Sequence, residues 1–484
     1  MTQKIVKVLA VPASGAYYTA DLAALQGNPI PVAQQYTARA ETPGFRYVRE
    51  VAEAASVGLM IGDASSQSLT GAPVAWGDCV GVTYAGLSGR DPVFRTADAL
   101  GTIRRRIVPL LTGRELTSFR ELAGEVDALV EEVRVPAPSP DHDVTTEEEA
   151  HARDEGLSRR ELLTAPFRSL RPEGPEEAQR KKKSTVTRSV TVKRPLHSAI
   201  RYGVSQAILQ AVAFARNLTM AEVITDEWDL PQPGRSVPIH AQSGAERYAN
   251  ADKMIVRRVD SLPHALVEDI PSQLGEDGEQ LVRYVRWLKE RIEELGGSNY
   301  RPAIHLDVHG ALGRIYENEL GRILGYLYRL ESYVQPLTLR IESPVIMETR
   351  GEQIEALRTL REYIQFRNMA VQIVADEWAN TLQDITAFVD AEAADMIQIK
   401  MPDLGSLNNT VDAVLACKEA GIKAFLGGSC AETDISARVA AHVALATQPT
   451  MVMARPGMGV DEGISIVQNE MTRALVLIKA HDGR

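Results

Sequence analysis

The sequence predicts an α/β protein in which an N-terminal α+β domain precedes a parallel (β/α)8 barrel. Three observations favour this fold class. In the second half of the chain short apolar runs alternate with helical patterns, consecutive runs lie about one strand-plus-helix unit apart, and four runs end in a polar residue. The runs are Ala303–Asp307, Thr338–Glu342, Val371–Asp376 and Met396–Lys400, and their last residues are 342 − 307 = 35, 376 − 342 = 34 and 400 − 376 = 24 positions apart.

Length and composition suit a soluble protein of two domains. The chain has 484 residues, enough for a full barrel and a second domain. Its net charge of −11 argues against nucleic acid as the main partner. The three cysteines are far apart and odd in number, which excludes a disulfide framework. The sequence has no signal-peptide core and no apolar run of about 18 residues. We therefore expect a cytoplasmic protein that does not bind membranes.

Composition divides the chain into four segments. Residues 1–133 mix strand-like runs with a helical stretch at Leu116–Val133 and form the predicted α+β domain. Residues 134–194 are rich in proline and charge, which predicts a flexible, solvated insertion. A lid or a partner-binding segment is the alternative. Residues 195–235 predict helices that complete the first domain, and residues 236–484 predict the barrel.

Helical periodicity separates the predicted barrel strands. Leu281–Leu295 and Ile354–Ile364 are amphipathic, and each precedes one of the apolar runs. Val411–Ala420 repeats the pattern and is ended by Gly421 before a further strand at Ala424–Leu426. This alternation is typical of βα units in a parallel sheet.

Three carboxylates at consecutive strand ends predict a divalent-cation site. The carboxyl ends of parallel barrel strands meet at one mouth, so Asp307, Glu342 and Asp376 should converge there. Carboxylate oxygens suit Mg²⁺, which keeps coordination positions open for water and substrate. Any one of these acids alone would more often be a surface residue or a helix N-cap. Their common position at barrel spacing favours the metal site.

Lys400 ends the fourth apolar run. Strand alternation directs both Gln398 and Lys400 toward the barrel interior. A lysine among apolar neighbours is uncommon unless it is paired or functional. One interpretation is that Lys400 only neutralises the three acids. The other is a general base that takes a weakly acidic proton alpha to a carboxylate, while a metal stabilises the resulting dianion.

Three further candidates carry weaker signals. His264 lies beside a proline, where a histidine is more often structural than catalytic. Gln242 follows a predicted strand at Val237–Ala241 and either directs its amide at a substrate carboxylate or lies on a surface loop. Glycines at 427–428, followed by Ser429, allow backbone N–H groups to approach an anion. Cys430 has no evident histidine partner, so we interpret it as a pocket residue rather than a nucleophile.

A series of motifs extends over nearly the whole chain outside residues 134–194. The motifs are AIRYGVSQAIL, AQSG, DKMI, LPHAL, HLDVHG, LRIESP, VADEW, QIKMPDLG, GGSCAET and RPGMGVDEG, with WGDCVGVTYAGLSGRDP upstream. Together they resemble the methylaspartate ammonia-lyase (3-methylaspartase) family of the enolase superfamily. The resemblance implies a modified TIM (β/α)8 barrel with an N-terminal α+β capping domain. It also implies a lyase of the EC 4.3.1 class that reversibly removes ammonia from a 3-substituted aspartate, giving a fumarate such as mesaconate.

The same resemblance implies roles for the candidate residues. Asp307, Glu342 and Asp376 would bind Mg²⁺, Lys400 would be the base for one C3 configuration, and His264 would serve the other from the opposite face. K⁺ is the implied activator and a homodimer the implied assembly. The substrate, a small amino acid or dicarboxylate, would be positioned by four residues. These are Gln242, Gln398, Ser429 and Cys430.

Four positions depart from the family pattern around the implied pocket. Thr83 stands where the family has glutamine, and His240 where it usually has phenylalanine. Ser429 replaces threonine and Met453 replaces leucine. Thr83 is shorter and leaves room near the substrate, whereas His240 adds a polar group where a ring packs. We therefore expect the accepted amine or C3 substituent to differ from that of the usual family substrate.

Two other function classes remain as alternatives. A dehydratase or racemase of the same superfamily would commonly carry a lysine pair on an earlier strand, but the run before Asp307 has no such pair, and Lys400 lies beyond the third acid. A non-catalytic binding protein on this scaffold would have to keep a buried lysine and acid cluster without using it, which is costly. Both observations favour the lyase.

Overall fold

The computed structural model describes most of the chain. The described residues are 3–21, 35–37, 47–63, 71–80, 91, 94–136, 189–244, 246–429, 432–455 and 458–482. Thr83, Cys430 and most of the segment 134–194 lie outside them.

The described strands form a capping sheet, a small two-stranded sheet and a barrel. They are β1 (Gln3–Asp21), β2 (Gln35–Thr37), β3 (Tyr47–Asp63), β4 (Val74–Cys79), β5 (Val130–Pro136), β6 (Ser189–Pro195), β7 (Ile239–His240), β8 (Ser261–His264), β9 (Ala303–Asp307), β10 (Leu339–Glu342), β11 (Gln372–Ala375), β12 (Met396–Lys400), β13 (Lys423–Gly427) and β14 (Met451–Met453).

The described helices are mostly amphipathic segments between these strands. They are Thr96–Thr102, Val108–Leu111, Phe119–Asp127, Ser198–Arg216, Met220–Glu227, Arg247–Val256, Glu279–Gly296, Ala311–Ile315, Leu320–Val334, Arg350–Phe366, Leu382–Asp390, Met401–Leu404, Leu407–Glu419, Asp434–Thr447 and Val460–Asp482, with π-helical turns at Ile103–Ile107 and Ile270–Leu274. No single helix in the described ranges has the length and apolar character needed to cross a membrane, and one bent pair, Ser198–Arg216 with Met220–Glu227, meets the criterion by length and composition alone.

The capping sheet is antiparallel, with β3 between β1 and β2 and with β4 also paired to β3. The helix Ser198–Arg216 packs against β4, and its Gln206 and Gln210 side chains accept hydrogen bonds from the backbone N–H groups of Asp78 and Trp76. The cap reaches the barrel where the Thr433 hydroxyl donates to Asp78 Oδ2 at 2.7 Å. The antiparallel sheet and its helices confirm the predicted α+β capping domain.

The helix predicted at Leu116–Val133 is only partly right. The helix spans Phe119–Asp127 and begins at the N-cap Ser118, whose side chain accepts from the Glu121 N–H group. From Val130 the chain becomes strand β5, which pairs with β6, so both ends of the predicted 134–194 insertion lie in this two-stranded sheet. The valines at 130, 133 and 135 favour a strand over a helix once an antiparallel partner is present.

The barrel is closed by eight parallel strands in the order β10-β11-β12-β13-β14-β7-β8-β9. This confirms the predicted fold class. β9 and β12 have the predicted bounds, β10 starts one residue later than predicted, and β11 ends one residue before Asp376.

The interior holds a small apolar cluster that is separate from the main core. Its members are Val374, Met396, Phe425, Met451 and Met453.

The cap depends on a close backbone approach between β4 and its packed helix. A Cβ atom added at Gly203 would lie 2.6 Å from the Asp78 carbonyl carbon, which is too close for a carbon contact. We predict that Gly203→Ala destabilises the protein by about 1–3 kcal/mol because the helix must move away from β4.

Gly325→Ala is the matched control for this prediction. Gly325 also lies inside a helix, but an added Cβ would have nothing within 4 Å. This change should be neutral or stabilise by up to about 1 kcal/mol. Thermal unfolding of both variants measures the difference, and a Gly203→Ala variant that melts at or above the wild-type temperature would contradict the prediction.

Candidate active site

Five chemically active side chains lie at the carboxyl ends of five consecutive barrel strands. In strand order they are His264 on β8, Asp307 on β9, Glu342 on β10, Asp376 just after β11 and Lys400 on β12. The register pairs Asp307 with Glu342 directly. Because five consecutive strands span half of an eight-stranded barrel, His264 and Lys400 face each other across the mouth with the three carboxylates between them.

The three carboxylates are enclosed. Asp307 and Asp376 are each 4% exposed and Glu342 is fully buried. One oxygen of Glu342 receives a hydrogen bond from the Gln398 amide, and the other lies 2.6 Å from His305 Nε2. Burial raises the pKa of Glu342 well above its ordinary value, and the neighbouring Asp307 and Asp376 charges add to this effect.

The aspartates show the same effect of burial on a negative charge. Burial, reinforced by repulsion from Glu377, raises the pKa of Asp307 to about 7. Burial also raises the pKa of Asp376 to about 6, although the Lys400 ammonium opposes the shift. Lys400 Nζ lies 2.8 Å from Asp376 Oδ2, whereas Asp376 Oδ1 is buried without a hydrogen-bond partner. Negative charge at this mouth thus exceeds what its described cations compensate.

Glu377 and His309 form a separate pair at the edge of the cluster. Burial opposes ionisation of Glu377, but hydrogen bonds and charge from His309 lower its pKa to about 2. Burial likewise opposes the charged form of His309, yet the bond to Glu377 at 2.9 Å helps to raise its pKa to about 9. Since this cation is already paired, it leaves the charge of the three carboxylates largely uncompensated.

This donor set can hold a metal ion. The buried carboxylate oxygens are hard ligands, and one of them, Asp376 Oδ1, has no other partner. Ligand atoms of His264, Asp307 and Glu342 all lie within 4.8 Å of one another. A divalent cation would relieve the repulsion among the acids and satisfy the unpartnered oxygen.

His264 faces both the cluster and the barrel interior. It ends β8, adopts a positive φ of 65° and is 4% exposed. Its Nε2 lies 3.5 Å from Asp307 Oδ2, and its Nδ1 lies 3.2 Å from Nε2 of His240. Burial lowers the pKa of His264 to about 3, so the imidazole is neutral at neutral pH and one of its nitrogens carries no proton.

The other sequence-predicted residues surround this centre to different extents. His240 and Met453 lie inside the barrel on neighbouring strands and are buried. Gln242 is half-buried two residues after β7. Gln398 contacts Glu342, and Ser429 is buried in the turn after β13. Thr83 and Cys430 lie outside the described residues, so their predicted roles remain predictions.

The turn after β13 is held by an ion pair that sequence reasoning missed. The Ser429 N–H donates to Glu432 Oε1 at 3.2 Å, and Arg455 donates to the Gly427 carbonyl at 2.8 Å. Arg455 and Glu432 are both buried and lie 3.5 Å apart. Arg455 opens the RPGMGVDEG motif, but no local pattern indicated its contact with a turn 28 residues earlier.

His305 was also missed, although the sequence carried a signal for it. It precedes Asp307 by two residues on β9, so strand alternation places both side chains on the same face. The pairing of His305 with Glu342 depends on the lateral register of β9 and β10, which periodicity alone does not reveal.

The capped (β/α)8 barrel, with acids at its carboxyl-terminal mouth, defines the class of proteins with an enolase-like fold. Two family models then match nearly the whole chain. The methylaspartate ammonia-lyase N-terminus matches residues 3–138 and 159–229, and the methylaspartate ammonia-lyase C-terminus matches residues 233–480. The chain belongs to the methylaspartate ammonia-lyase family.

Individual relatives agree with this assignment over the full length. The chain is 42% identical over 482 residues to methylaspartate ammonia-lyase 2 of Carboxydothermus hydrogenoformans, covering 99% of this chain and 100% of the relative. It resembles the crystal structure of the Mg complex of β-methylaspartase from Clostridium tetanomorphum with a TM-score of 0.75 and 37% identity, covering 99% of this chain and 100% of the other. It also resembles Citrobacter amalonaticus methylaspartate ammonia lyase containing (2S,3S)-3-methylaspartic acid, with a TM-score of 0.76, 37% identity and coverage of 98% and 100%.

The repulsion among the acids predicts how the metal-free protein responds to charge removal. The pKa of Asp307 in the folded protein, about 7, lies above the ordinary aspartate value of 3.8. This group therefore costs stability progressively as the pH rises between those values, and the full cost is present above them. We predict that Asp307→Asn raises the melting temperature of the metal-free protein at pH 8 by roughly 2–4 °C, and that the gain shrinks toward pH 5.

Asp384→Asn is the matched control. Asp384 is also a buried acid, but it is paired with Arg350 at 2.7 Å and caps its helix through Thr381, so its removal should lower the melting temperature at both pH values. Thermal unfolding in a chelating buffer makes the comparison. An Asp307→Asn protein less stable than wild type at pH 8 would show that the acids are not in repulsion.

Proposed function

We propose that this protein is a Mg²⁺-dependent carbon–nitrogen lyase that reversibly eliminates ammonia, or a related amine, from 3-methylaspartate or a similar 3-substituted aspartate. The product would be mesaconate or a related fumarate. The observation that carries the proposal is the strand order at the mouth, in which His264 and Lys400 flank three carboxylates. The relatives bearing the methylaspartate ammonia-lyase name, one of them a Mg complex, support the assignment.

Asp307, Glu342 and Asp376 would hold the Mg²⁺ ion. When bound, Mg²⁺ would anchor a substrate carboxylate and stabilise the negative charge that develops on it as the C3 proton leaves. Gln398 and His305 hold Glu342 from two sides and so fix its carboxylate among the ligands. Asp376 would orient Lys400 through its Oδ2 atom.

The two bases would act from opposite faces of the substrate. Lys400 Nζ or His264 Nε2 takes the proton from C3, the electrons of that bond form the C2=C3 double bond, and the C2–N bond breaks with its electron pair leaving on the amine. A carboxylate-bearing substrate between the two side chains presents one C3 epimer's hydrogen to each base. Burial keeps His264 neutral, so one of its ring nitrogens is unprotonated at neutral pH.

We also propose that the residues of the pocket wall determine which substrates are accepted. His240 and Met453 are buried beside the centre, and Ser429 lies in the turn held by Glu432. The roles proposed for Gln242, Thr83 and Cys430 in holding the substrate follow from the family resemblance. K⁺ activation, a homodimer and a cytoplasmic location are further expectations from the same resemblance and from composition.

The roles of the two proposed bases are tested by assaying each C3 epimer of 3-methylaspartate separately. Lys400→Met should reduce kcat at least about 100-fold for one epimer, and His264→Asn should do so for the other, because each variant removes one proton acceptor. Ultraviolet absorbance of the conjugated product measures both reactions, with and without Mg²⁺.

Lys423→Met is the matched control for the lysine variant. Lys423 is also half-buried on a barrel strand, but it lies at the opposite, amino-terminal end of β13 and should leave turnover unchanged. Undiminished turnover of both epimers by Lys400→Met would refute the assigned base.

Substrate scope is tested with aspartate, 3-methylaspartate and N-substituted analogues. Because the wall around the proposed amine and C3 positions differs from the family pattern, we expect kcat/KM for at least one analogue to reach or exceed that for 3-methylaspartate. Strong preference for 3-methylaspartate over every analogue would contradict this expectation.

A further inference from the structure

Arg455 joins the carboxyl ends of three consecutive barrel strands. It lies two residues after β14 and is 1% exposed. Its Nη1 donates to the Gly427 carbonyl at the end of β13 at 2.8 Å, and its Nη2 lies 3.8 Å from Sδ of Met401, the residue after β12. In the sheet register Gly427 pairs with Lys400, the proposed base. Arg455 therefore contacts the strand ends on the Lys400 side of the mouth.

Glu432 connects Arg455 to the turn after β13. Its Oε1 lies 3.5 Å from Arg455 Nη1 and accepts from the Ser429 N–H group at 3.2 Å, and both side chains of the pair are fully buried. A Cβ atom added at Gly428 would collide with Arg455 Nη1 and lie 2.7 Å from Glu432 Oε1, so the backbone of the turn lies directly against the pair. The pair thus holds the turn at both ends, through the Gly427 carbonyl and the Ser429 N–H group.

Packing alone does not require an ion pair at this place. Buried charges are costly to desolvate, and apolar side chains of similar volume often stabilise a core equally well or better. Apolar side chains cannot bond a carbonyl or an N–H group, however, and the pair bonds one of each in this turn. What Arg455 and Glu432 add beyond packing is therefore a fixed orientation of the turn's backbone.

The turn is also a proposed contact of the substrate. By the family resemblance, the backbone around Ser429 helps to position the carboxylates and the amine of the substrate. A substrate held there would lie beside Lys400, because Gly427 is the register partner of Lys400. A hydrogen bond to a carboxylate is strong, so a rotation of the turn that breaks one weakens binding at least about 10-fold.

We propose that Arg455 is a positioning residue that, together with Glu432, orients the turn from Gly427 to Ser429 for binding a carboxylate of the substrate. Arg455 contacts the turn and does not contact the substrate. This inference rests on the proposed function, because it assigns the pair to the affinity for the dicarboxylate of that reaction. Both C3 epimers carry the same carboxylates, so both depend on the pair.

The test compares Arg455→Met with a double variant that combines Arg455→Met and Glu432→Gln. Methionine is also unbranched but leaves the Gly427 carbonyl without its donor and Glu432 without its cation. The double variant removes that uncompensated charge, while glutamine keeps an oxygen for the Ser429 N–H group. We expect both to raise KM at least about 10-fold for each epimer, with kcat changed by less than about threefold. The melting temperature should fall most in Arg455→Met and recover in the double variant.

Arg455→Lys tests the same contact with a conservative change. Lysine keeps the positive charge and one donor but lacks the planar fork of the guanidinium. It can bond the Gly427 carbonyl or Glu432, so it should recover part of the KM that is lost in Arg455→Met.

Arg361→Met is the matched control at the opposite end of the barrel. Arg361 Nε lies 2.9 Å from Asp395 Oδ1, and Asp395 Oδ2 accepts from the Ile373 N–H group near the start of β11 at 2.9 Å. This pair also bonds strand backbone but lies far from the mouth. Arg361→Met should lower the melting temperature and leave KM within about twofold of wild type.

The amination direction separates the carboxylate from the amine. In both Arg455 variants KM for mesaconate should rise with that for 3-methylaspartate, whereas KM for ammonia should stay within about threefold of wild type. A rise for ammonia as large as that for mesaconate would overturn the assignment of the turn to a carboxylate.

The double variant decides the outcome if Arg455→Met does not fold. A KM within about threefold of wild type in the double variant, or a loss of kcat with KM unchanged, would overturn the inference. In either case active wild-type protein leaves the proposed function standing. If wild type converts neither epimer, the proposed function fails and this inference fails with it.

Discussion

Repulsion among enclosed carboxylates is the constraint on which the site depends. Asp307, Glu342 and Asp376 are nearly inaccessible to water, and an enclosed negative charge is costly unless a cation or hydrogen-bond donors compensate it. Lys400 compensates part of this charge through Asp376, and His305 with Gln398 supplies donors to Glu342. Burial, together with this remaining imbalance, raises the pKa of all three acids and is the ground for the divalent-cation site proposed at the mouth.

Barrel order gives this cluster the two-sided arrangement on which the proposed reaction centre rests. Strand neighbours bring the acids together, and the strands that flank them carry His264 and Lys400 at opposite edges of the mouth. One proposed cation site would therefore serve both proposed bases. The two proposed bases differ in their contacts. Lys400 is hydrogen-bonded to a carboxylate of the cluster, whereas His264 contacts His240, which in turn contacts Ser261.

Sequence periodicity predicted the strands that matter most, because each is an apolar run that ends where the chain reaches the mouth. β9 and β12 have the predicted bounds, and their terminal residues lie where parallel strand ends must meet. The helix predicted to reach Val133 ended at Asp127, since the later valines pair with a strand more than fifty residues away. Contacts such as His240 with His264, or Arg455 with Gly427, join residues through lateral packing, for which a single sequence carries no periodic signal.

Anomalous diffraction from crystals soaked in Mn²⁺, a hard divalent cation like Mg²⁺, tests the central claim most directly. The account predicts one strong peak at the barrel mouth, about 2.0–2.3 Å from a carboxylate oxygen of each of Asp307, Glu342 and Asp376. A strong peak bound by other residues, or no peak at saturating Mn²⁺, would contradict the claim that the enclosed acids form the cation site.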